Sequence, residues 1–392
     1  MREATNVVVI GGGPAGLTVA NLLRRCGIDC IVLEVRSREY IETRQRAGIV
    51  EYRAVRMFED WGLADAVLGH APRESRLEIR IAGESYVLGD DEFSDAITGS
   101  LCPQQVLVRN LIRTLLDAGG DLRFDAAEVE PRELAGERPV VSYRDAEGVV
   151  HEIACDFVAG CDGDHGASRA GVPDGALTRY FYDHGGIRWL TVLADAPPPK
   201  RPLMGVTADG FAAQFARGPA ASRFYIQCAA DESVDDWPEE RIWDCVRSRL
   251  GDPGLPTGAV TDREVFAHRS VVYDPMSYGK LFLLGDAAHI ISPMGGKGMN
   301  LALYDADVFA RAVRGYFRDG DRSGLEQYSS TCLRRVWDCQ EFSQWLLETT
   351  HRTVGHSPDT AFLRQLSRAR LSRLTTSPTA AHAYAELMAG LT

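Results

Sequence analysis

Three glycines and a carboxylate near the start of the chain have the types and spacing of a dinucleotide-binding site. Gly11, Gly13 and Gly16 form a GxGxxG motif after the apolar run 7–10, and Glu34 ends the next apolar run. Small residues at these positions permit a tight turn, the approach of a pyrophosphate and close packing of a helix on a strand. The phosphates would lie at the N-terminus of that helix, where unpaired N–H groups favour an anion. Glu34 would accept hydrogen bonds from a ribose.

An arginine among apolar residues is the second candidate for chemistry. Phe211, Ala213, Phe215 and Arg217 share one face of a predicted strand over 210–217, because side chains alternate along a strand. Burying an arginine costs several kcal/mol unless an anion pairs with it. The pattern is therefore typical either of an anion-binding arginine in a pocket or of an arginine that snorkels at the end of a strand.

Two later segments also combine glycine with an acid. The run Cys161-Asp162-Gly163 follows an apolar stretch, and Gly285-Asp286 follows another, which leads through a glycine-rich loop with Lys297 into a helix. The second arrangement predicts another anion site at a helix N-terminus. The segment 36–46 is rich in arginine, and its composition fits a solvated loop and a cationic rim for nucleotide phosphates equally well.

The elements that must position these residues are strands and helices in two kinds of arrangement. We predict an α/β fold in which a Rossmann-like nucleotide-binding domain receives an inserted, mostly antiparallel sheet. The alternation of Leu77, Ile79 and Ile81 indicates a hairpin rather than another parallel strand. The predicted division is a discontinuous nucleotide-binding domain over 1–75, 100–180 and 270–330, a substrate-binding sheet domain over 76–99 and 181–269, and a C-terminal helical region over 331–392.

The composition argues against several classes of partner. The 392 residues carry a formal net charge of −12 and no long block of like charge, which disfavours nucleic acid and anionic membranes as partners. No apolar run is long enough for a bilayer and no signal-peptide pattern is present, so we expect a cytoplasmic protein without membrane contact. The nine cysteines show no CxxC spacing, which favours reduced thiols, and no metal site is expected.

Together these motifs resemble the FAD-dependent aromatic hydroxylases (class A flavoprotein monooxygenases), and among them the 4-hydroxybenzoate 3-monooxygenases. The resemblance is carried by Arg46-Ala47-Gly48, Gly160-Cys161-Asp162-Gly163 with His165 and Arg169, Gly285-Asp286-Ala287-Ala288-His289-Ile290, and Lys297-Gly298-Met299-Asn300-Leu301-Ala302. It implies an aromatic ring monooxygenase that uses FAD, NAD(P)H and O2 through a flavin hydroperoxide. It also implies a small aromatic substrate, and a homodimer would be in keeping with the family.

The same resemblance assigns residues to the two nucleotides. FAD would contact Gly11, Gly13, Gly16, Glu34, Arg46, Gln104, Asp162, Gly163, Asp286, Gly298, Met299 and Asn300. NADPH or NADH would contact Arg44, Arg46, His165, Arg169 and Arg269, which makes the arginine-rich segment a functional rim. Family members choose between the two nicotinamide nucleotides just after the acidic residue, where this chain has Val35 and Arg36, so that choice stays open.

The resemblance also outlines a substrate pocket. Its residues are Met204, Phe215, Arg217, Tyr225, Pro293 and Met294, of which Pro293, Arg217 and Tyr225 match catalytic positions. Arg217 and Tyr225 match the residues that hold the substrate carboxylate in the family. The family's pocket serine and its phenol-binding tyrosine are replaced by Phe215 and Met204, and a second relay tyrosine by Met388 in a stretch that aligns poorly.

A pocket without these hydroxyls lacks the route by which a phenol becomes a phenolate. We therefore predict a non-phenolic or larger electron-rich aromatic, such as an aminobenzoate or an indole-like ring, with Arg217 favouring a carboxylate on it. Three alternatives stay open. They are a true 4-hydroxybenzoate 3-monooxygenase in which Met204 and Phe215 are misaligned, a flavin-dependent dehydrogenase or halogenase-like oxidase, and a non-catalytic flavin-binding sensor.

Overall fold

A computed structural model of the protein describes residues 3–44, 48–73, 76–89, 92–351 and 356–391. In these ranges the strands are β1 (Glu3–Ile10), β2 (Cys30–Leu33), β3 (Ile49–Val50), β4 (Leu77–Ile81), β5 (Glu84–Leu88), β6 (Ser100–Leu101), β7 (Asp121–Arg123), β8 (Ala127–Arg132), β9 (Val140–Arg144), β10 (Val150–Gly160), β11 (Thr178–Ala194), β12 (Leu203–Thr207), β13 (Gly210–Ala216), β14 (Ser222–Cys228), β15 (Val260–Asp274), β16 (Ser277–Tyr278), β17 (Leu281–Leu283) and β18 (His289–Ile290). The helices are α1 (Pro14–Arg25), α2 (Arg38–Thr43), α3 (Tyr52–Asp60), α4 (Ala64–Val67), α5 (Glu92–Ala96), α6 (Gln104–Asp117), α7 (Glu239–Leu250), α8 (Lys297–Asp319), α9 (Ser323–Thr350), α10 (Pro358–Thr376) and α11 (Pro378–Ala389). Single 3-10 turns lie at Ser168–Gly171, Val234–Asp236 and Gly285–Ala287.

The first sheet places the three glycine-acid motifs at one edge. Its main path runs in the order β16-β17-β10-β1-β2-β7, with β1 parallel to both β2 and β10, and β10 parallel to β17. The run Val7–Ile10 is at most 3% exposed, because the sheet is covered on both faces. The carboxyl ends of β2, β1, β10 and β17 therefore lie side by side, and in such sheets ligands bind at that edge.

The second sheet is the inserted one, and it is almost entirely antiparallel. Its order is β18-β15-β11-β14-β13-β12-β4-β5, and only β12 and β4 run parallel. The hairpin expected around residues 76–88 is confirmed as β4 and β5. Side chains alternate between two cores, as the period of two requires: Phe211 and Ala213 face the C-terminal helices, whereas Ala212 packs toward α7.

The C-terminal helices cover the first of these two faces. The apolar side chains that recur at helical spacing along α9 are buried, with Cys332 and Val336 at 0% exposure and Phe342 at 1%. Phe342, Leu346 and Tyr384 pack against the inserted sheet in the same cluster as Met204 and Met294. The helices thus cover the sheet face that lies next to the loop before α8.

Neither membrane spans nor metal clusters are found in the part of the chain that the structure describes. No helix there combines the length and the hydropathy that crossing a bilayer requires. No group of three or more His, Cys, Asp or Glu side chains in those ranges is placed to hold a metal ion.

Candidate functional site

The three glycines of the first motif have different structural roles. At Gly11, with φ of +107°, an added Cβ would lie 2.4 Å from the carbonyl oxygen of Cys161. At Gly16 it would lie 2.0 Å from the carbonyl oxygen of Gly11, so this position must be glycine for α1 to pack on β1. At Gly13 no atom lies within 4 Å of the added Cβ. Gly13 therefore borders open space at the N-terminus of α1, which fits the pyrophosphate of FAD.

Glu34 lies at this edge as the sequence predicts, directly after β2. Its side chain is 6% exposed. Oε2 accepts from the backbone N–H of Gly12 at 2.6 Å, and Oε1 accepts from that of Arg36 at 2.7 Å. These bonds hold the carboxylate beside the glycine turn, and each oxygen retains a lone pair for a ribose hydroxyl.

Asp162 organises the second loop, directly after β10. Its Oδ2 accepts from the backbone N–H of Ser168 at 2.8 Å and from the Ser168 hydroxyl at 2.7 Å. Oδ1 is buried and has no hydrogen-bond partner among the described residues. Burial raises the pKa of Asp162, and the bonds from Ser168 only partly oppose this. Oδ1 is thus an acceptor available to a bound ligand, next to Gly163.

The third loop, after β17, is anchored from beneath by a buried ion pair. Asp305 accepts from the backbone N–H of Gly285 at 2.9 Å and lies 2.7 Å from Nε2 of His289. Burial disfavours a charged His289 ring, but the adjacent Asp305 carboxylate outweighs it and raises the pKa of His289. Asp286 itself is exposed at the sheet edge, where the predicted FAD contact needs it.

The expectation that Lys297 serves an anion site at the start of α8 is wrong. Its side chain is 2% exposed, and Nζ lies 3.0 Å from Oε2 of Glu51. It also donates to the backbone carbonyls of Leu387 at 2.5 Å and Met388 at 2.8 Å. The lysine ties the helix to the C-terminal segment because a buried ammonium needs acceptors on every side. Any anion at this helix must rely on backbone N–H groups near Gly296, where an added Cβ meets no atom within 4 Å.

Asn300 and its neighbours position the backbone of this helix end. The Asn300 side chain donates to the carbonyls of Ile49 at 3.1 Å and Gly296 at 2.9 Å, and accepts from the backbone N–H of Glu51 at 3.0 Å. Because its amide is occupied in this way, an Asn300 contact to FAD would come from the backbone. Met299 is largely buried in the core below, and Gly298 is half-buried.

The residues expected to form the NAD(P)H rim are only partly available. Arg44 is exposed, and its guanidinium lies 5.7 Å from the Tyr40 ring. His165 is 92% exposed. Arg169, in contrast, donates to the carbonyl of Ala287 at 2.6 Å.

Arg169 also lies over the Tyr273 ring at 4.7 Å. Arg269 forms an ion pair with Asp164. The guanidinium groups of Arg169 and Arg269 are therefore both engaged in contacts within the protein. Arg46 lies outside the described residues. Gln104 is half-buried at the first position of α6.

The predicted pocket residues come together on one face of the inserted sheet. Met204 and Met294 belong to one buried cluster, against which Phe215 and Tyr225 pack. Pro293 is exposed beside Met294. This grouping joins strands β12, β13 and β14 to the loop before α8.

Arg217, just beyond β13, ends this face. Its Nη2 donates to the Tyr225 hydroxyl at 3.3 Å and its Nη1 to the carbonyl of Ala216 at 2.9 Å. An added Cβ on Gly48 would lie 3.4 Å from Nη1, which places the guanidinium beside Gly48. Arg217 is half-buried and has no carboxylate partner in the ranges described.

Several residues of this site were missed from the sequence. Arg223 is 9% exposed, and its Nε has no hydrogen-bond partner among the residues described. It lies two positions before Tyr225 on the same strand face, so the period of two could have found it. Tyr384 and the pair Trp189 and His268 pack nearby, but only the folded chain brings them there.

Comparisons with known proteins agree with this geometry. A family model described as an FAD binding domain matches residues 4–343. The p-hydroxybenzoate hydroxylase of Acinetobacter baylyi is 34% identical over 394 residues, covering 99% of this chain and 95% of that protein. The 3-(3-hydroxy-phenyl)propionate/3-hydroxycinnamic acid hydroxylase of Mycolicibacterium smegmatis is 29% identical, covering 90% of this chain but 63% of that longer protein. The solved p-nitrophenol 4-monooxygenase of Pseudomonas putida has a TM-score of 0.85 at 20% identity, with 100% of both chains covered.

Proposed function

Because the chain belongs to the FAD-dependent aromatic hydroxylases of the p-hydroxybenzoate hydroxylase family, we propose a substrate for it within that chemistry. The substrate is a carboxylated aromatic ring that is electron-rich without ionisation, such as an aminobenzoate. FAD, reduced by NAD(P)H, supplies the activation of O2. The chain's own residues bind the ring, orient it and exclude water from the reacting atoms.

The observation that carries this proposal is a pair of arginines that flank Tyr225. Within the described ranges Arg217 meets no aspartate or glutamate, and the Nε of the buried Arg223 has no hydrogen-bond partner. Desolvating two cations is unfavourable unless an anion compensates them. A carboxylate on the substrate would supply that anion for Arg217, with the Tyr225 hydroxyl as a second donor.

The apolar character of the rest of the pocket supports a non-phenolic ring. Met204, Phe215 and Met388 all pack into the same cluster, so thioethers and a phenyl ring surround this space where the family has hydroxyls. Such side chains cannot accept the proton of a phenol. A ring made electron-rich by an amino group needs no such proton transfer.

A second candidate, hydroxylation of 4-hydroxybenzoate itself, is favoured by one residue. Tyr384 is 6% exposed and packs in the same cluster, one helical turn before Met388. A phenol hydroxyl at this place could contact a phenolic substrate.

The test measures oxidation of NADPH and of NADH by the purified yellow protein in the presence of aromatic acids. The panel contains the aminobenzoates, 4-hydroxybenzoate and indole carboxylic acids, and product and peroxide are quantified together. Hydroxylated product from a non-phenolic acid, with little peroxide, is the expected result. Efficient product formation from 4-hydroxybenzoate would overturn the non-phenolic proposal in favour of the second candidate.

The role of Arg217 is tested by substitution. Arg217→Met should raise the KM of the carboxylated substrate by about ten- to a hundredfold, because a charge-assisted hydrogen bond is worth about 1.5–3 kcal/mol. The exposed Arg179 provides the matched control, and Arg179→Met should leave KM unchanged. An unchanged KM in the Arg217→Met variant would show that the carboxylate lies elsewhere.

A further inference from the structure

One ring nitrogen of His268, on β15, has a hydrogen-bond partner among the described residues, and the other has none. Its side chain is 1% exposed, and Nδ1 lies 2.9 Å from the hydroxyl oxygen of Ser292. Nε2 is buried and has no hydrogen-bond partner among the residues that the structure describes. Buried polar atoms in proteins nearly always have a partner. A bound molecule or an ordered water is therefore needed to satisfy this nitrogen.

Contacts link His268 to Arg217 at one end of the predicted pocket and to Pro293 at the other. Its ring lies edge-on to Trp189, with centroids 4.3 Å apart, and Trp189 lies 4.9 Å from Tyr225. Tyr225 in turn accepts the bond from Arg217. Ser292, which holds His268, directly precedes Pro293 and Met294 in the loop before α8. A row of aromatic rings thus runs from the Arg217 end of the pocket to the Pro293 end, where His268 lies.

In two neighbouring histidines, both ring nitrogens have hydrogen-bond partners within the protein. His184 lies 2.8 Å from Oε1 of Gln344 through Nδ1 and 2.9 Å from the Ser270 hydroxyl through Nε2. His351 accepts from the Trp189 indole at 2.7 Å through Nε2, and its Nδ1 lies 2.7 Å from the Thr350 hydroxyl. Both rings are satisfied within the protein, whereas His268 is not.

The electrostatic setting defines what His268 can do. Burial, together with the nearby His184, lowers the pKa of His268 to about 3, so the ring is neutral at neutral pH. In the tautomer protonated at Nδ1, the ring donates to the Ser292 hydroxyl oxygen, which also accepts from the backbone N–H of Met294 at 3.3 Å, and Nε2 carries a lone pair. That atom can accept one hydrogen bond from an N–H or O–H group.

We propose that His268 takes the tautomer protonated at Nδ1 and that its Nε2 accepts a hydrogen bond from an amino group on the substrate ring, opposite the carboxylate held by Arg217. This inference rests on the proposed function and narrows it to rings that carry a donor at that end. Accepting a hydrogen bond from a ring amino group increases the electron density of the ring, which favours attack by an electrophilic oxygen. His268 is then a specificity-determining residue of the hydroxylase.

The test compares ligands that differ only in the ring donor. Benzoate, the three aminobenzoates and the three hydroxybenzoates are titrated into the FAD-loaded protein, and Kd is read from the change in flavin absorbance. The wild type should bind at least one aminobenzoate about tenfold more tightly than benzoate, the range of one net hydrogen bond. In His268→Leu this preference should fall to less than about twofold, and His268→Gln, whose amide oxygen can accept, should restore part of it.

Controls separate this role from a structural one. His184→Leu removes a buried histidine whose nitrogens are both satisfied, so it should lower stability and leave the ratio of Kd values unchanged. Ser292→Ala removes the hydroxyl that orients His268 and that also accepts from the backbone N–H of Met294, and it should reduce the preference without abolishing it. This variant keeps the test decisive if His268→Leu fails to fold.

Each contrary result has a distinct meaning. Wild-type protein that binds all the benzoates equally well would overturn the role of His268 while leaving the carboxylate proposal intact. A preference that survives in His268→Leu, or that survives in full in Ser292→Ala, would do the same. Wild-type protein that binds none of the benzoates would overturn the proposed function and, with it, this inference.

Discussion

The substitution Gly13→Ala should separate binding of FAD from stability of the fold. Gly13 precedes α1 with φ of −79° and ψ of −174°, a backbone conformation that alanine adopts without strain. The added methyl group would meet no protein atom within 4 Å. It would instead occupy the space through which a pyrophosphate approaches the N-terminus of α1.

The expected magnitude follows from these contacts. A methyl group that displaces the pyrophosphate weakens one or two charge-assisted hydrogen bonds, each worth about 1.5–3 kcal/mol. A loss of about 3 kcal/mol raises the Kd for FAD about a hundredfold. The apoprotein should be as stable as the wild type or more stable by about 0.4–1 kcal/mol, because alanine restricts the unfolded chain.

The assay combines flavin fluorescence titration of the apoprotein with its thermal unfolding. Gly16→Ala is the matched control, since its Cβ would lie 2.0 Å from the carbonyl oxygen of Gly11 and would force α1 away from β1. It should lower the unfolding temperature of the apoprotein, whereas Gly13→Ala should not. Wild-type affinity for FAD in Gly13→Ala would refute the placement of the pyrophosphate at this turn.

Two further predictions concern buried charge. Glu51→Gln leaves the buried Lys297 and Arg335 without their shared carboxylate, so the free energy of unfolding in denaturant should fall by about 3–5 kcal/mol; an unchanged value would show that the ion pairs do not form. Burial lowers the pKa of both His268 and His351 in the folded protein. Below a pH of about 6.5 the unfolded chain therefore binds more protons than the folded chain, and the free energy of unfolding decreases as the pH falls. Each histidine should contribute about 1.4 kcal/mol per pH unit to that loss, and a His268→Leu variant with the same slope as wild type would contradict the buried neutral ring.

The sequence by itself determined the parts of this protein that depend on neighbours along the chain. The GxGxxG turn, the acid that follows the second strand and the alternation of strand β13 all follow from local spacing. The steric requirement at Gly16 comes from Gly11 within the same motif, and the period of a strand places Phe211 and Ala213 on one face wherever the sheet lies. These features were therefore readable before any packing was known.

Only the tertiary structure decided which polar side chains are free to bind a ligand. Lys297 had the setting of an anion site, but its partner Glu51 lies 246 positions away in the sequence. His268 meets Ser292 across 24 positions, and the buried Nε of Arg223 has no hydrogen-bond partner among the described residues. Whether a buried charge or lone pair is satisfied depends on atoms brought together from distant segments, and no local pattern records that distance.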